Sequence, residues 1–175
     1  MFDNESVNVS HEIMNRLSFH DTMMFTAVTI SMMATCRRRA IGCVLVNNRQ
    51  IVATGYNGAP QGMPHCLAEG CLIHEGHCIR CVHAEANATL KCTQADTAYC
   101  TDRPCLMCLR LMLQKGITKI YYWRHYTDHA TDLFLTENYG GISNWPLFLI
   151  SDQLSTRLQT INSEMREYTD ALRIS

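Results

Sequence analysis

Residues 83–88 read His83-Ala84-Glu85-Ala86-Asn87-Ala88, and residues 104–108 read Pro104-Cys105-Leu106-Met107-Cys108. One imidazole and two thiolates supply three protein donors for a tetrahedral Zn²⁺ and leave one position open for water. That is the pattern of a catalytic metal, because a structural site closes with a fourth Cys or His. If residues 106–114 are helical, Cys105 and Cys108 lie on one face of its first turn. Pro104 sets the approach of the chain to that turn, and the positive end of the helix favours the thiolate form. Glu85 stands two residues from His83, too close to share its helical face. It therefore reads as a proton carrier beside the water and not as a fourth ligand.

Working outward, the periodicity predicts a helix over His83 to Cys92, a strand over Thr97 to Thr101, a helix over Cys105 to Lys115 closed by Gly116, and a strand over Thr118 to Trp123. A helix near Asp128 to Asn138 stops at Gly140-Gly141, before a short strand at Leu147 to Ile150. Upstream, Ser18 or Asp21 caps a methionine-rich helix running to about Thr35, its methionines serving as core filler. Ile41 to Asn47 and Gln50 to Gly55 form a hairpin turning at Asn47-Asn48, and Gly55-Tyr56-Asn57-Gly58 ends its second strand. A hairpin followed by alternating helices and strands predicts an α/β fold, a three-layer α/β/α sandwich around a central mixed five-stranded sheet. Both ligand-bearing helices then start at one edge of the sheet, which lets His83, Cys105 and Cys108 converge.

The C-terminal segment differs in character. Ser151 or Asp152 can cap an amphipathic helix carrying Leu154, Leu158, Ile161, Met165, Tyr168 and Leu172 on one stripe. The stripe packs either on its own domain or in a subunit contact. Residues 1–175 read as one domain, with a core over about 19–150 and a helical extension over 151–175.

The charges nearly balance, with 15 Lys and Arg against 16 Asp and Glu. Such a chain lacks the broad basic face that holds long nucleic acid, so small substrates are favoured and no nucleic-acid partner is expected. The first eleven residues show neither a basic nor an apolar leader region, and no run approaches the length that spans a bilayer. A cytoplasmic protein with no membrane partner is expected, and there ten cysteines argue for metal ligation and buried thiols ahead of disulfides. Cys66, Cys71, Cys78 and Cys81 fall in one polar loop with His65, His74 and His77, which points to a second, closed zinc; unmetallated thiols are the alternative.

His-x-Glu with Pro-Cys-x-x-Cys is the signature of zinc deaminases that act on cytosine or adenine. Around it stand Thr35-Cys36-Arg37-Arg38 before Ile41-Gly42, then Gly55-Tyr56-Asn57-Gly58, His65-Cys66, Gly70-Cys71 and His77-Cys78-Ile79-Arg80. In that order and spacing the chain resembles the deoxycytidylate (dCMP) deaminase family, which includes bacterial competence-operon proteins. The likeness runs from about Phe19 to Trp123. Small tetrameric cytidine deaminases place Cys where His83 stands, and tRNA adenosine deaminases lack the Gly-Tyr-Asn-Gly and Cys-rich elements.

The resemblance implies a cytidine deaminase-like fold and hydrolytic deamination of dCMP to dUMP and ammonia, supplying dUMP for thymidylate synthesis. Glu85 would relay protons from a zinc-activated water to N3 and to the departing amine. It also implies base contacts from the backbone at Ala84 and a nucleotide contact at Asn57, for which turn geometry is an equal explanation. For the 5′-phosphate the candidates are the dense positive run Arg37, Arg38 and Arg39, with Arg103, Lys91 and Arg124 beside it, and Arg38 and Arg103 come first. Arg103 departs from the family, which usually carries an apolar residue before Pro-Cys. Tyr126, after the fourth strand, either borders the base or belongs to the core, with the core preferred. Some family members bind a second zinc, and the implied set here is Cys36, Cys66, Cys71 and Cys78, with His74, His77 or Cys81 as substitutes. Many are homo-hexamers activated by dCTP and inhibited by dTTP near the segment Gly55, Tyr56, Asn57 and Gly58, with Mg²⁺ on the effector phosphates. The competing functions are a nucleic-acid deaminase, on tRNA or single-stranded DNA, and a zinc-stabilised interaction protein in DNA uptake.

Overall fold

The computed structural model describes residues 17–150, 154–160 and 163. Helix α1 spans Phe19–Ser31 and opens on a capping box in which Ser18 and Asp21 each accept the other's amide through the side chain, both at 3.1 Å. It ends short of Thr35. The amides of Met32, Met33 and Ala34 tighten onto carbonyls three residues back, and the Thr35 amide bonds the Asn57 carbonyl instead.

Strands β1 (Gly42–Asn47) and β2 (Gln50–Tyr56) form the hairpin. Its turn sits one residue later than expected, because Asn48 and Arg49 carry the positive φ values, 49° and 64°. Along β1, Cys43 and Leu45 point into one core layer while Val44 and Val46 point into the other, so both faces of the strand are covered. The Cys-rich stretch holds short elements that periodicity did not show: a one-turn helix α2 (Cys66–Glu69) and two-residue strands β3 (Ile73–His74) and β4 (His77–Cys78).

The remaining elements follow the predicted order: α3 (Ala84–Thr89), β5 (Thr97–Asp102), α4 (Leu106–Gln114), β6 (Lys119–Arg124), α5 (His129–Tyr139) and β7 (Leu147–Leu149). The main sheet runs β2-β1-β5-β6-β7; β1 is antiparallel to both its neighbours, β2 and β5, and β5, β6 and β7 are parallel. Helices α3, α4 and α5 cover one face through Ala84, Ala88, Leu109, Met112 and Leu135, and α1 covers the other through Met24, Ala27 and Val28. This is the mixed five-stranded α/β/α sandwich.

Leu154 and Leu158, the first two residues of the C-terminal stripe, are buried in the α1 layer, and Trp123 Nε1 donates to Ser155 Oγ at 2.9 Å. The start of that helix therefore packs on its own domain. Ser151, Asp152, Ile161, Met165, Tyr168 and Leu172 lie outside the described residues. One glycine positions the site directly: a Cβ on Gly55 would stand 2.2 Å from the Ala84 carbonyl oxygen. Its absence lets the start of α3, with His83 and Glu85, sit against β2.

Candidate active site

His83 occupies the position before the first turn of α3, and Cys105 the equivalent position before α4, where the chain leaves β5. Cys108 lies one turn into α4, buried. The Sγ atoms of Cys105 and Cys108 stand 3.5 and 3.4 Å from His83 Nδ1, and all three donors lie within 4.8 Å of one another. A tetrahedral zinc with ordinary Zn–S and Zn–N bonds puts nitrogen and sulfur donors about 3.5 Å apart, so the three residues fit the ion in chemistry and in spacing. The Cys105 thiol is drawn down to about 4, chiefly by hydrogen bonding with Cys108, with His83 adding to it. The thiolate that results is the form a metal takes.

Glu85 is only 3% exposed, and its Oε2 has no hydrogen-bond partner. Burial pushes its carboxyl up to about 7. An unsatisfied carboxylate oxygen at that depth is costly unless something outside the chain uses it. Glu85 and His83 open onto one cavity of about 440 Å³.

The cavity wall redistributes the roles expected of the arginines. Arg103, expected at the phosphate, is 3% exposed; its guanidinium pairs with Asp132, bonds the Tyr126 carbonyl and lies over the Trp145 ring. Arg103 also lines the cavity, and packing against α5 supplies the counter-ion that a buried charge requires. Lys91 bonds the Thr54 carbonyl, and Arg124 bonds the Ala40 carbonyl and Asp102. Arg38 stays at the rim, with one donor on the Gly76 carbonyl at 2.7 Å. Tyr126, read as core, lines the cavity.

Asn57 lines it too, but both ends of its amide are committed: Oδ1 accepts from the Ile41 amide at 2.8 Å and Nδ2 donates to the Arg39 carbonyl at 2.7 Å. It holds the arginine-bearing loop. Its neighbours are engaged inside the chain as well, since the Tyr56 carbonyl accepts from Asn87 and Gly58 forms a two-way bridge with Val82. The Ala84 side chain is buried in the core layer under α3.

Residues 17–124 match the cytidine and deoxycytidylate deaminase zinc-binding region. The chain belongs to this deaminase family. It is 36% identical over 129 residues to ComE operon protein 2 of Bacillus subtilis, an alignment covering 69% of this chain and 68% of that one. It is 32% identical over 136 residues to the deoxycytidylate deaminase of Saccharomyces cerevisiae, covering 71% of this chain but 44% of the yeast protein, so it spans less than half of that relative. Among solved structures it is similar to the dCMP deaminase of cyanophage S-TIM5 in complex with dCMP and dUMP, with a TM-score of 0.61 and 27% identity over 74% of this chain and 95% of that one.

In this member of the deaminase family the Cys-rich loop brings together Cys36, Cys66, Cys78 and Cys81, their sulfurs all within 4.8 Å of one another. Cys81, a substitute in the expected set, belongs to this group. The β3–β4 hairpin returns the chain so that Cys78 and Cys81 face Cys66 at 3.6 and 3.4 Å, while Cys71 stands 3.7 Å from Cys36 and within hydrogen-bonding reach of Cys66 and Cys78. His74 and His77 are exposed and not part of the group.

Sequence reasoning placed Asp128 only as a helix start, yet it serves two helices of this deaminase. Oδ1 accepts from the Ala130 amide of its own helix, and Oδ2 accepts from the Thr131 hydroxyl and from the Leu106 amide at 2.9 Å, the first amide of α4. Partial burial opposes its charge, but these donors outweigh it and hold the carboxyl below the ordinary aspartate value. No local pattern reveals the cross-helix bond, because Leu106 and Asp128 are far apart along the chain. Asp128→Ala is expected to lower the melting temperature by roughly 2–8 °C, as the loss of a helix cap does. It should also weaken zinc binding at the His-Cys-Cys group about tenfold, as loss of an orienting partner does. Competition with a chromophoric chelator measures the second effect, and wild-type zinc affinity would show that Asp128 does not hold the ligand helix.

Proposed function

We propose that this chain deaminates dCMP hydrolytically to dUMP and ammonia. The observation that carries the reading is the meeting, in one cavity, of a His-Cys-Cys donor group with a buried carboxylate that has an unpartnered oxygen. His83, Cys105 and Cys108 would hold Zn²⁺, which when bound supplies the Lewis acidity that brings the pKa of water towards about 7. Glu85 takes a proton from the attacking water and delivers protons to N3 of cytosine and to the amine as the C4–N bond breaks. One water is consumed and one ammonia released. Arg38 and Arg39 give the cavity a positive wall, which supports a phosphorylated substrate. The relatives named for dCMP deamination support the same choice.

We also propose that Cys36, Cys66, Cys78 and Cys81 close around a second Zn²⁺ of structural character, supported by four sulfur donors at tetrahedral spacing. An interaction protein has no physical need for the free Glu85 oxygen, so the enzymatic reading is preferred.

The test compares deamination of dCMP, CMP, deoxycytidine and short single-stranded DNA, with and without dCTP or dTTP in the presence of Mg²⁺. Turnover of dCMP is expected to exceed that of the others by about tenfold or more, the scale of one charge-assisted contact. Turnover of deoxycytidine alone would remove the phosphate argument, and a preference for DNA would replace the reading with the nucleic-acid one.

A further inference from the structure

The distribution of counter-ions around the cavity singles out one arginine. Asp102, at the end of β5 and 2% exposed, carries one negative charge but serves two guanidiniums. Arg124 Nη2 bonds its Oδ2 at 2.6 Å, and Arg39 Nε stands 2.7 Å from its Oδ1, close enough to pair although not aligned as a hydrogen bond. One positive charge is therefore left over beside the cavity. Arg124 also bonds the Ala40 carbonyl and is the less exposed of the two, whereas the Arg39 side chain is 41% exposed and lines the cavity. Arg39 is held along its inner edge by Asp102, and its guanidinium lies 5.9 Å from the centre of the Tyr126 ring. No hydrogen bond engages its two outer nitrogens among the described residues. A guanidinium ion-paired on its Nε side and facing an aromatic ring presents its outer N–H donors as a fork, the geometry that binds phosphate oxygens in pairs. Arg38 differs, because it gives a donor to the Gly76 carbonyl and is not anchored by a carboxylate.

Building on the dCMP reading above, we propose that Arg39, aimed by Asp102 and Tyr126, grips the 5′-phosphate and sets the preference for nucleotide over nucleoside. Asp102 is a positioning residue that acts through Arg39. Both residues come from charged positions, in the Arg37-Arg38-Arg39 run and the Asp102-Arg103 pair, and the fold joins them across 63 positions of sequence.

Steady-state kinetics with dCMP and with deoxycytidine, on wild type, Arg39→Gln, Arg39→Lys and Asp102→Asn, tests the assignment. For Arg39→Gln the KM for dCMP is expected to rise about 10–100-fold with kcat within about threefold, and the ratio of dCMP to deoxycytidine efficiency to fall by the same factor. Arg39→Lys keeps the charge but loses the fork, so it should fall between wild type and Arg39→Gln. Asp102→Asn should shift the same ratio in the same direction. An equal loss with both substrates would mean that Arg39 only supports the fold, and an unchanged KM would leave the phosphate to Arg38; either result overturns the assignment. A wild-type chain that handles deoxycytidine as well as dCMP overturns the nucleotide reading itself, a failure visible before any variant is made.

Discussion

Glu85→Gln is expected to slow dCMP deamination by about 10²–10⁴-fold, the usual contribution of a positioned acid–base group. The zinc content per chain should stay that of the wild type. Gln keeps the size and one oxygen of Glu, so a side chain only 3% exposed is replaced without a cavity. What it loses is the ability to take up and release a proton. The KM for dCMP should change little, because the carboxylate acts on the transition state and not on ground-state binding. Zinc analysis of the same sample makes the result decisive. Activity and zinc lost together would identify Glu85 as a ligand, and retained activity would sink the proton-relay mechanism. The geometry argues against the ligand outcome, since the metal-competent group is His83, Cys105 and Cys108 without Glu85.

The second large effect concerns the four-sulfur group. Cys66→Ser is expected to reduce bound zinc from two ions per chain to one and to lower the melting temperature by about 10 °C or more, the shift that a loss of roughly 3–5 kcal/mol produces in a domain of this size. The loop it anchors has little else to hold it. Leu67, Leu72, Ile73 and Ile79 are all exposed, α2 is a single turn, and β3 and β4 pair over two residues each. Cys66 itself is fully buried and contacts both Cys78 and Cys81. Binding free energy at such a site is folding free energy for the segments it joins. Because Cys36, Cys78 and Cys81 also line the cavity, the affinity for dCMP should fall with the metal. Cys71→Ser provides the contrast: with Cys81 as the fourth donor, it should leave two zincs and nearly the wild-type melting temperature. Two zincs in Cys66→Ser, or a lost zinc in Cys71→Ser, would reverse the ligand assignment, and one zinc in the wild type would remove the second site altogether.

Much of the scaffold was legible along the chain because the signals are local. Ser18 and Asp21 form their capping box, Gly116 and Gly140 follow their helices with positive φ, and the apolar runs of β1 and β5 are buried on both faces. The hairpin turn moved by one residue, since Asn-Asn-Arg offers no glycine to mark the left-handed positions. The small elements of the Cys-rich loop were illegible because α2, β3 and β4 are too short for any periodicity to register.

The grouping of His83, Cys105 and Cys108 was legible in the sequence alone, because a helix start places Cys105 and Cys108 on one face and a strand-helix repeat brings a second helix start, with His83 and Glu85, to the same sheet edge. The tertiary structure decided which charges and thiols remain available beside them. Arg103 is neutralised by Asp132 on α5, Asp102 is shared by Arg39 and Arg124, and Cys81 joins Cys36, Cys66 and Cys78 through the return of a two-residue hairpin. A buried charge must find a counter-ion, and a closed metal site must find four donors at one distance from a common centre. Both conditions are met by atoms brought together across the fold, so neither can be read from spacing along the chain.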